Sequence, residues 1–499
     1  MDLASNIAAG FAVALTAQNL LYCFVGVLLG TMVGVLPGIG PVTTVAMLLP
    51  ISFALAPVSA LILLAGIYYG AQYGGSTTAI LINIPGEASS VVTTIDGYQM
   101  ARQGRAGPAL GIAAIGSFFA GCVATLFISA AAPPLAAIAL EFGPAEYFSL
   151  MVCGLVAAVV LAHGSVLKAI AMVVLGLLLG LAGTDVNSGI RRFTFGFQGL
   201  ADGIEFVALS MAIYGIAEIA YKLEGKQDWA DVSQAIGRVW PAWSDIIHCV
   251  PAILRGTGLG SILGVLPGGG ALLASFAAYT LEKKVARTPR AFGKGDIRGV
   301  AAPEAANNAG AQTSFVPMLT LGIPSNPTMA MMIGALMIHG IAPGPRVMIE
   351  RPELFWGVIA SMWLGNLMLV ILNLPLVGVW VRLLRIPYRL LFPAILAFCC
   401  IGAYVINSNA FDLFVMGFFA VFGYVCLKLD CEPAPLILGF VLGPMMEENL
   451  RRALLISRGD FSVFVTEPLS LAFLVAALLL LALVAAPAIR AKREEALQE

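Results

Sequence analysis

Charge is what this sequence lacks. Asp, Glu, Lys and Arg make up 11% of its 499 residues, against about 25% in soluble domains. None of them, nor any His, occurs from Leu3 through Gly86. That run excludes a water-facing first domain and is long enough for several bilayer crossings at about 20 residues each. Short alternating segments are also missing, which argues against a β-barrel, so the spans read as helices. The eight cysteines include no CxxC pair and fall mostly in apolar stretches, as buried free thiols do. His163, His248 and His339 are scattered, with no HExxH and no carboxylate at ligand spacing, so no transition-metal site is expected. GGGALLAS lacks the lysine of a P-loop and YGGSTT is not a nucleophile elbow, which removes the usual ATPase and hydrolase signatures. An enzyme is not expected. A net charge of −1 gives no footprint for nucleic acid. Asp2, with no basic residues after it, does not read as the start of a cleaved signal peptide.

What is present is a duplication. GVLPGIG at Gly34–Gly40 returns as GVLPGGG at Gly264–Gly270, and eight of the twelve positions from Leu29 to Gly40 match at that offset of 230. Glycine-rich composition does not produce such a match, so the chain reads as two repeats. The parse is a first membrane repeat over 1–221, an interfacial connector over 222–245, and a second repeat over 246–465. A C-terminal transmembrane helix with a cytoplasmic tail follows over 466–499. The expected class is an all-α polytopic membrane protein of about 11–14 spans, with apolar segments near 42–66, 70–86 and 305–322 among them.

Loop charge sets the relative orientation of the repeats. Glu282–Arg298 carries a net +4, whereas the matching Ile51–Tyr68 carries none. Arg102 and Arg105 face a counterpart in which Glu350 and Glu353 offset Arg346 and Arg351. Arg382, Arg385 and Arg389 correspond to a region holding Glu141 and Glu146. By the positive-inside rule the repeats are inverted relative to each other, as in many secondary transporters.

Leu-Pro-Gly should break a helix in both repeats, because proline removes a donor and glycine favours non-helical torsions. Backbone groups freed inside hydrocarbon must be buried or line a cavity. Half-helix N-termini suit anions, and unwound carbonyls suit Na+. Gly26, Gly30, Gly256 and Gly260 instead read as packing residues. A second paired signature follows each break, Gln72 through Thr78 leading to Asn83-Ile84-Pro85-Gly86, and Gln312-Thr313-Ser314 leading to Ile323-Pro324-Ser325-Asn326. Candidate substrate-binding residues are Pro37, Gly38, Gly40, Thr43, Thr44, Ser76, Thr77, Pro267, Gly268, Gly270, Ser325 and Asn326. Candidate ion-binding residues are Gly38, Thr78, Asn83, Gly268, Glu304, Asn307, Asn308, Gln312, Thr313 and Ser314. Glu87 and Glu304 are candidate intramembrane carboxylates. The bland alternatives are Ser/Thr hydroxyls bonded back to their own helix and acids capping helix ends. Asp96 reads as a loop residue.

These motifs resemble the large membrane subunit of the tripartite tricarboxylate transporters. The match rests on GVLPGIGP, on GIYYGAQYGGSTTAILINIPGE at Gly66–Glu87, on TTIDGYQMARQGRAGPAL at Thr93–Leu110, on GVLPGGG and on APEAANNA. The resemblance implies a multi-pass subunit of the bacterial inner membrane working with a small multi-span subunit and a periplasmic solute-binding protein that delivers a carboxylate. It implies an Na+ or H+ gradient rather than ATP as the driving force; a more distant likeness to other binding-protein-dependent secondary transporters adds an elevator-type motion, and no cofactor is expected. Ser325-Asn326 stands where the first repeat has Gly86-Glu87, so the two sites need not hold the same ligand. An anion channel without ion coupling is the alternative.

Overall fold

The computed structural model describes residues 3–36, 40–162, 165–185, 187–224, 238–266, 270–383 and 388–485. Proline opens several of its helices, at Pro57, Pro144, Pro327 and Pro352. α1 (Leu3–Ala14) and α2 (Ala17–Val35) precede the first Leu-Pro-Gly string and α3 (Gly40–Phe53) follows it. α4 (Pro57–Ile82) opens with proline at its first position, where no amide donor is required. α5 (Val91–Arg102), α6 (Ala106–Leu140), α7 (Pro144–Leu161) and α8 (Val166–Gly180) come next, then a small antiparallel pair, β1 (Gly183–Thr184) with β2 (Arg191–Arg192). α9 (Phe206–Ser210) passes through a π-helical stretch, Met211–Ala217, into α10 (Glu218–Glu224). The second series holds α11 (Trp243–Leu263), α12 (Gly270–Val285), α13 (Arg298–Thr313), α14 (Phe315–Leu321), α15 (Pro327–Ile338), α16 (Arg346–Glu350) and α17 (Pro352–Asn373). It ends with α18 (Val377–Leu383), α19 (Tyr388–Asn407), α20 (Ala410–Lys428), α21 (Ala434–Ile456), α22 (Val463–Thr466) and α23 (Pro468–Ala485).

The protein is an all-α polytopic membrane protein. Among the described residues five helices, α2, α6, α11, α17 and α20, are long and apolar enough to cross a bilayer alone. Others are apolar but short. α3 has 14 residues, about 21 Å at 1.5 Å per residue, against a hydrocarbon core of about 30 Å. The segments expected near 42–66 and 70–86 are divided differently. The chain turns at Ala54–Ala56, and α4 then runs unbroken through Gln72–Thr78, because those polar side chains find partners without disturbing the helix. The segment expected over 305–322 is likewise two helices, α13 and α14, offset at Ser314. Most of the expected connector lies outside the described residues, and α11 takes in Trp243–Asp245.

Glycines bring α2 and α4 together backbone to backbone. A Cβ added at Gly70 would lie 3.1 Å from the Gly30 Cα, and one at Gly74 would lie 2.9 Å from the Gly34 Cα. α11 meets α13 in the same way, with Gly256 and Gly260 against the Ala302 and Ala306 carbonyls and Gly264 against Gly310. Small residues at such crossings let helices gain close contact where lipid supplies no hydrophobic drive.

The halves also touch reciprocally. In one direction the turn after α5 meets the loop after α12, with Gln103 Nε2 donating to the Lys294 carbonyl at 2.8 Å. In the other, the turn after α15 meets the end of α3, with His339 Nε2 3.1 Å from the Ser52 carbonyl.

Candidate functional site

The two Ile-Pro connectors have nearly the same backbone. α4 ends at Asn83 in the left-handed region (φ 58°, ψ 27°) and α14 ends at Gly322 (φ 73°, ψ 20°). Each then extends through Ile-Pro to a helix-capping residue, Glu87 (φ −147°, ψ 166°) or Asn326 (φ −156°, ψ 171°). Glu87 and Ser90 form a capping box, while the Asn326 side chain accepts from the Met329 amide at 3.0 Å. Each connector also lies near the end of the helix that precedes its own Leu-Pro-Gly string. Thr78 Oγ1 donates to the Gly34 carbonyl at 3.5 Å and Ser314 Oγ donates to the Gly264 carbonyl at 3.4 Å. A Cβ at Gly86 would overlap the Gly34 carbonyl, so only glycine lets that connector pass so close.

A cavity of about 610 Å³ sits beside the first connector and the start of α15. Gly40–Thr43 at the start of α3, Ala271 and Leu272 at the start of α12, and Pro327 and Thr328 at the start of α15 all line it. Ile84–Ser89, Tyr68, Gln72 and Asn326 complete that side, and Tyr214, Glu218 and Glu432 face it from α10, its π-helical lead-in and the segment before α21. Three helices therefore present N-terminal, partially positive ends to one space. The described lining includes Glu87, Glu218 and Glu432 and no Lys, Arg or His. Around it, Asn326 Nδ2 donates to Tyr68 Oη at 3.0 Å and to Ser314 Oγ at 3.2 Å. Gln72 Nε2 donates to Glu87 Oε2 at 3.2 Å, and Ser89 Oγ donates to Gln72 Oε1 at 2.7 Å and to Glu87. Thr43 Oγ1 donates to the Tyr214 carbonyl at 2.7 Å, inside the π-helical stretch; such stretches are rare and cluster at functional sites.

Behind the cavity lies a second polar group centred on Glu304. The residue is 0% exposed. Ser76 Oγ from α4 donates to its Oε2 at 2.5 Å, and Thr93 Oγ1 from α5 donates to Oε1. Asn308 Nδ2 donates to Ser117 Oγ and to Asn307 Oδ1, both at 2.7 Å, and to the Glu304 carbonyl at 3.0 Å. One carboxylate thus ties two first-half helices to α13. Its hydrogen bonds come from neutral groups alone, and an ionised carboxylate buried in this way is costly unless a cation joins it.

Gly40, Thr43 and Asn326 line the cavity. Gly270 starts α12 directly before Ala271, and Ser325 lies behind, its hydroxyl donating to the Ser314 carbonyl at 3.2 Å. Thr44 bonds back to the Gly40 carbonyl at 3.0 Å. Ser76 and Thr77 fall on the α6 side of α4, away from this cavity. Of the ion candidates, Glu304, Asn307 and Asn308 form one group with Ser76, while Thr313 and Ser314 form another with α11, Thr313 Oγ1 donating to the Gly260 carbonyl at 3.3 Å. Thr78 joins α4 to Gly34, Gln312 is buried with Oε1 unpartnered, and Asn83 is an exposed C-cap. Pro37, Gly38, Pro267 and Gly268 lie outside the described residues.

Sequence reasoning missed several neighbours. Glu218, an acid at the end of an apolar run, carried a readable signal; Thr93, Ser117, Tyr68 and Tyr214 carried none. Asp96 is a correction. It is 0% exposed within α5 and accepts the amides of Gly293, Gly295 and Asp296 at 2.7–3.0 Å and the Tyr279 hydroxyl at 2.9 Å. It misread as a loop residue because its partners lie nearly two hundred positions away.

The model of the Tripartite tricarboxylate transporter TctA family matches residues 20–438. An uncharacterized 52.8 kDa protein in the TAR-I ttuC' 3' region of Agrobacterium vitis is 58% identical over 499 residues, covering 100% of this chain and 99% of its own. An uncharacterized protein in the TAR-II ttuC' 3' region of the same organism is 58% identical over 240 residues, 48% of this chain and 99% of its own. No solved structure matches.

Proposed function

Since the chain belongs to the Tripartite tricarboxylate transporter TctA family, we propose that it is the membrane subunit of a cation-coupled importer of an organic anion of the di- or tricarboxylate class. The observation that carries the reading is the cavity of about 610 Å³ where α3, α12 and α15 begin, lined without any described basic side chain. Helix N-termini and neutral donors there bind carboxylate groups. Glu87 on that wall takes its side-chain hydrogen bonds from Gln72 and Ser89, both neutral, so an entering anion gains from accompanying positive charge, and this favours coupling to Na+ or H+ over a simple pore.

The two repeats are inverted. Supporting this are the basic loops, the matched connectors and the reciprocal contacts of Gln103 with Lys294 and of His339 with Ser52. Inverted repeats give two exchangeable conformations, and the transport step is an elevator-type movement in which the substrate-bearing connectors travel with the substrate. The Glu304 group and the Ser314–Gly264 contact are the places where ion occupancy would alter helix packing. Partners are a small multi-span subunit and a periplasmic binding protein that delivers the carboxylate, in the inner membrane of a bacterium.

The test is uptake of labelled di- and tricarboxylates by the reconstituted complex, with its binding protein, under imposed Na+ or H+ gradients. Accumulation above the outside concentration is expected. Equilibration that ignores the gradient would identify a channel.

A further inference from the structure

A small void, about 10 Å³, opens between α4, α6 and α17, apart from the substrate cavity. By that measure it is about the size of one water molecule, and also of one small cation. Five of the eight residues that line it are polar, the other three being Leu110, Ala113 and Ala114 of α6. Tyr73, Ser76 and Thr77 come from α4, Ser117 from α6 and Asn373 from the end of α17.

Hydrogen-bond accounting leaves oxygens without donors. Tyr73 is 3% exposed and its hydroxyl has no partner. Asn373 is 7% exposed; its Nδ2 donates to the Leu369 carbonyl at 2.9 Å, which leaves Oδ1 a pure acceptor with nothing to accept from. Ser117 Oγ receives Asn308 Nδ2 and sends its own proton toward the Glu304 carbonyl at 3.4 Å. Ser76 Oγ directs its proton to Glu304 Oε2 and the Gln72 carbonyl. Both serine oxygens keep a lone pair. Orphaned acceptors at this depth are costly, and here they collect beside a buried carboxylate whose hydrogen-bond partners are all neutral.

We propose that the void between α4, α6 and α17 is an Na+ site, with Tyr73, Ser76, Ser117 and Asn373 as oxygen ligands and Glu304 supplying the balancing charge. A hard monovalent cation takes neutral oxygens of this kind and has no use for thiol or imidazole. The site joins α17 to α4 and to Glu304, so its occupancy fixes the helix that carries Gln72 on the substrate wall. This rests on the cation-coupled reading above.

The experiment measures Na+ dependence of carboxylate uptake by the reconstituted complex, with Tyr73→Phe, Asn373→Leu and Ser117→Ala, each checked for monodispersity in detergent. The half-saturating Na+ concentration should rise about 10-fold or more, the usual loss when a site surrenders one polar partner, while KM for the carboxylate at saturating Na+ stays at the wild-type value. Three separate side chains keep the test alive if one variant does not fold. An unchanged Na+ requirement in all folded variants would mean the void holds only water and would overturn the site. Wild-type uptake driven by H+ and indifferent to Na+ would overturn the site and leave the importer reading intact, whereas non-concentrative uptake would remove both.

Discussion

Replacing Gly86 with alanine perturbs the point where the first Ile-Pro connector passes the end of α2 at Gly34. The added Cβ would lie 2.6 Å from the Gly75 Cα and 2.7 Å from Thr78 Oγ1, and would overlap the Gly34 carbonyl. Comfortable carbon contacts are about 3.5–4.0 Å, so the connector must retreat by about 1 Å. Gly34 and Gly75 meet it with backbone and have no side chain that could turn aside. Overpacking of this sort costs about 1–3 kcal/mol, which a folded protein can survive. The functional loss should be larger, since Ile84–Ser89 lines the cavity and a displacement of about 1 Å can cost about 100-fold in rate. The assay is initial uptake per inserted protein, with thermal stability in detergent measured alongside. Gly258→Ala is the control: that residue lies within α11 with nothing inside 4 Å of the new Cβ, and alanine there favours the helix by about 1 kcal/mol. Wild-type uptake from Gly86→Ala would refute the packing of the connector against the end of α2.

Two further changes probe the frame around the site. Asp96→Asn should unseat the loop before α13, because an amide turns a donor toward amides that now point at a carboxylate oxygen. Losing two such charge-assisted bonds costs about 3 kcal/mol, read as a lower melting temperature and faster proteolysis between residues 286 and 297. Glu282→Gln should break the bidentate contact from Arg255, made at 2.8 and 2.9 Å. Because the arginine side chain is 35% exposed, the loss should be about 1 kcal/mol rather than the 3–5 kcal/mol of a fully buried pair, with uptake barely altered once the protein has inserted.

Much of the architecture was legible in the sequence, for identifiable reasons. A membrane leaves no tolerance for charge, so Leu3–Gly86 identified the class at once. Proline and glycine act through the local backbone, so Ile84-Pro85 and Ile323-Pro324 marked helix breaks without tertiary knowledge. The glycines four apart could be assigned to packing because a missing Cβ has one main use inside a bilayer. Other features depend on distance in sequence rather than on pattern. Ser76 faces Glu304 across 228 positions, and Asp96 finds its amides only when the two halves meet. The division of α3 from α4 was missed because Ala54-Leu55-Ala56 is as apolar as the helices on either side, and Pro57 alone marks the new start. Ser117 and Tyr214 sit in ordinary apolar runs, and only the fold gives them a role.

The central claim is that the carboxylate occupies the cavity where α3, α12 and α15 begin, and Ala88 on its wall is exposed. In a background without the eight native cysteines, Ala88→Cys in the reconstituted complex can be labelled with a small water-soluble thiol reagent. A transported carboxylate, supplied with the coupling cation, should slow that labelling in proportion to its saturation of uptake. Labelling that stays constant while the same preparation accumulates the carboxylate would contradict the assignment.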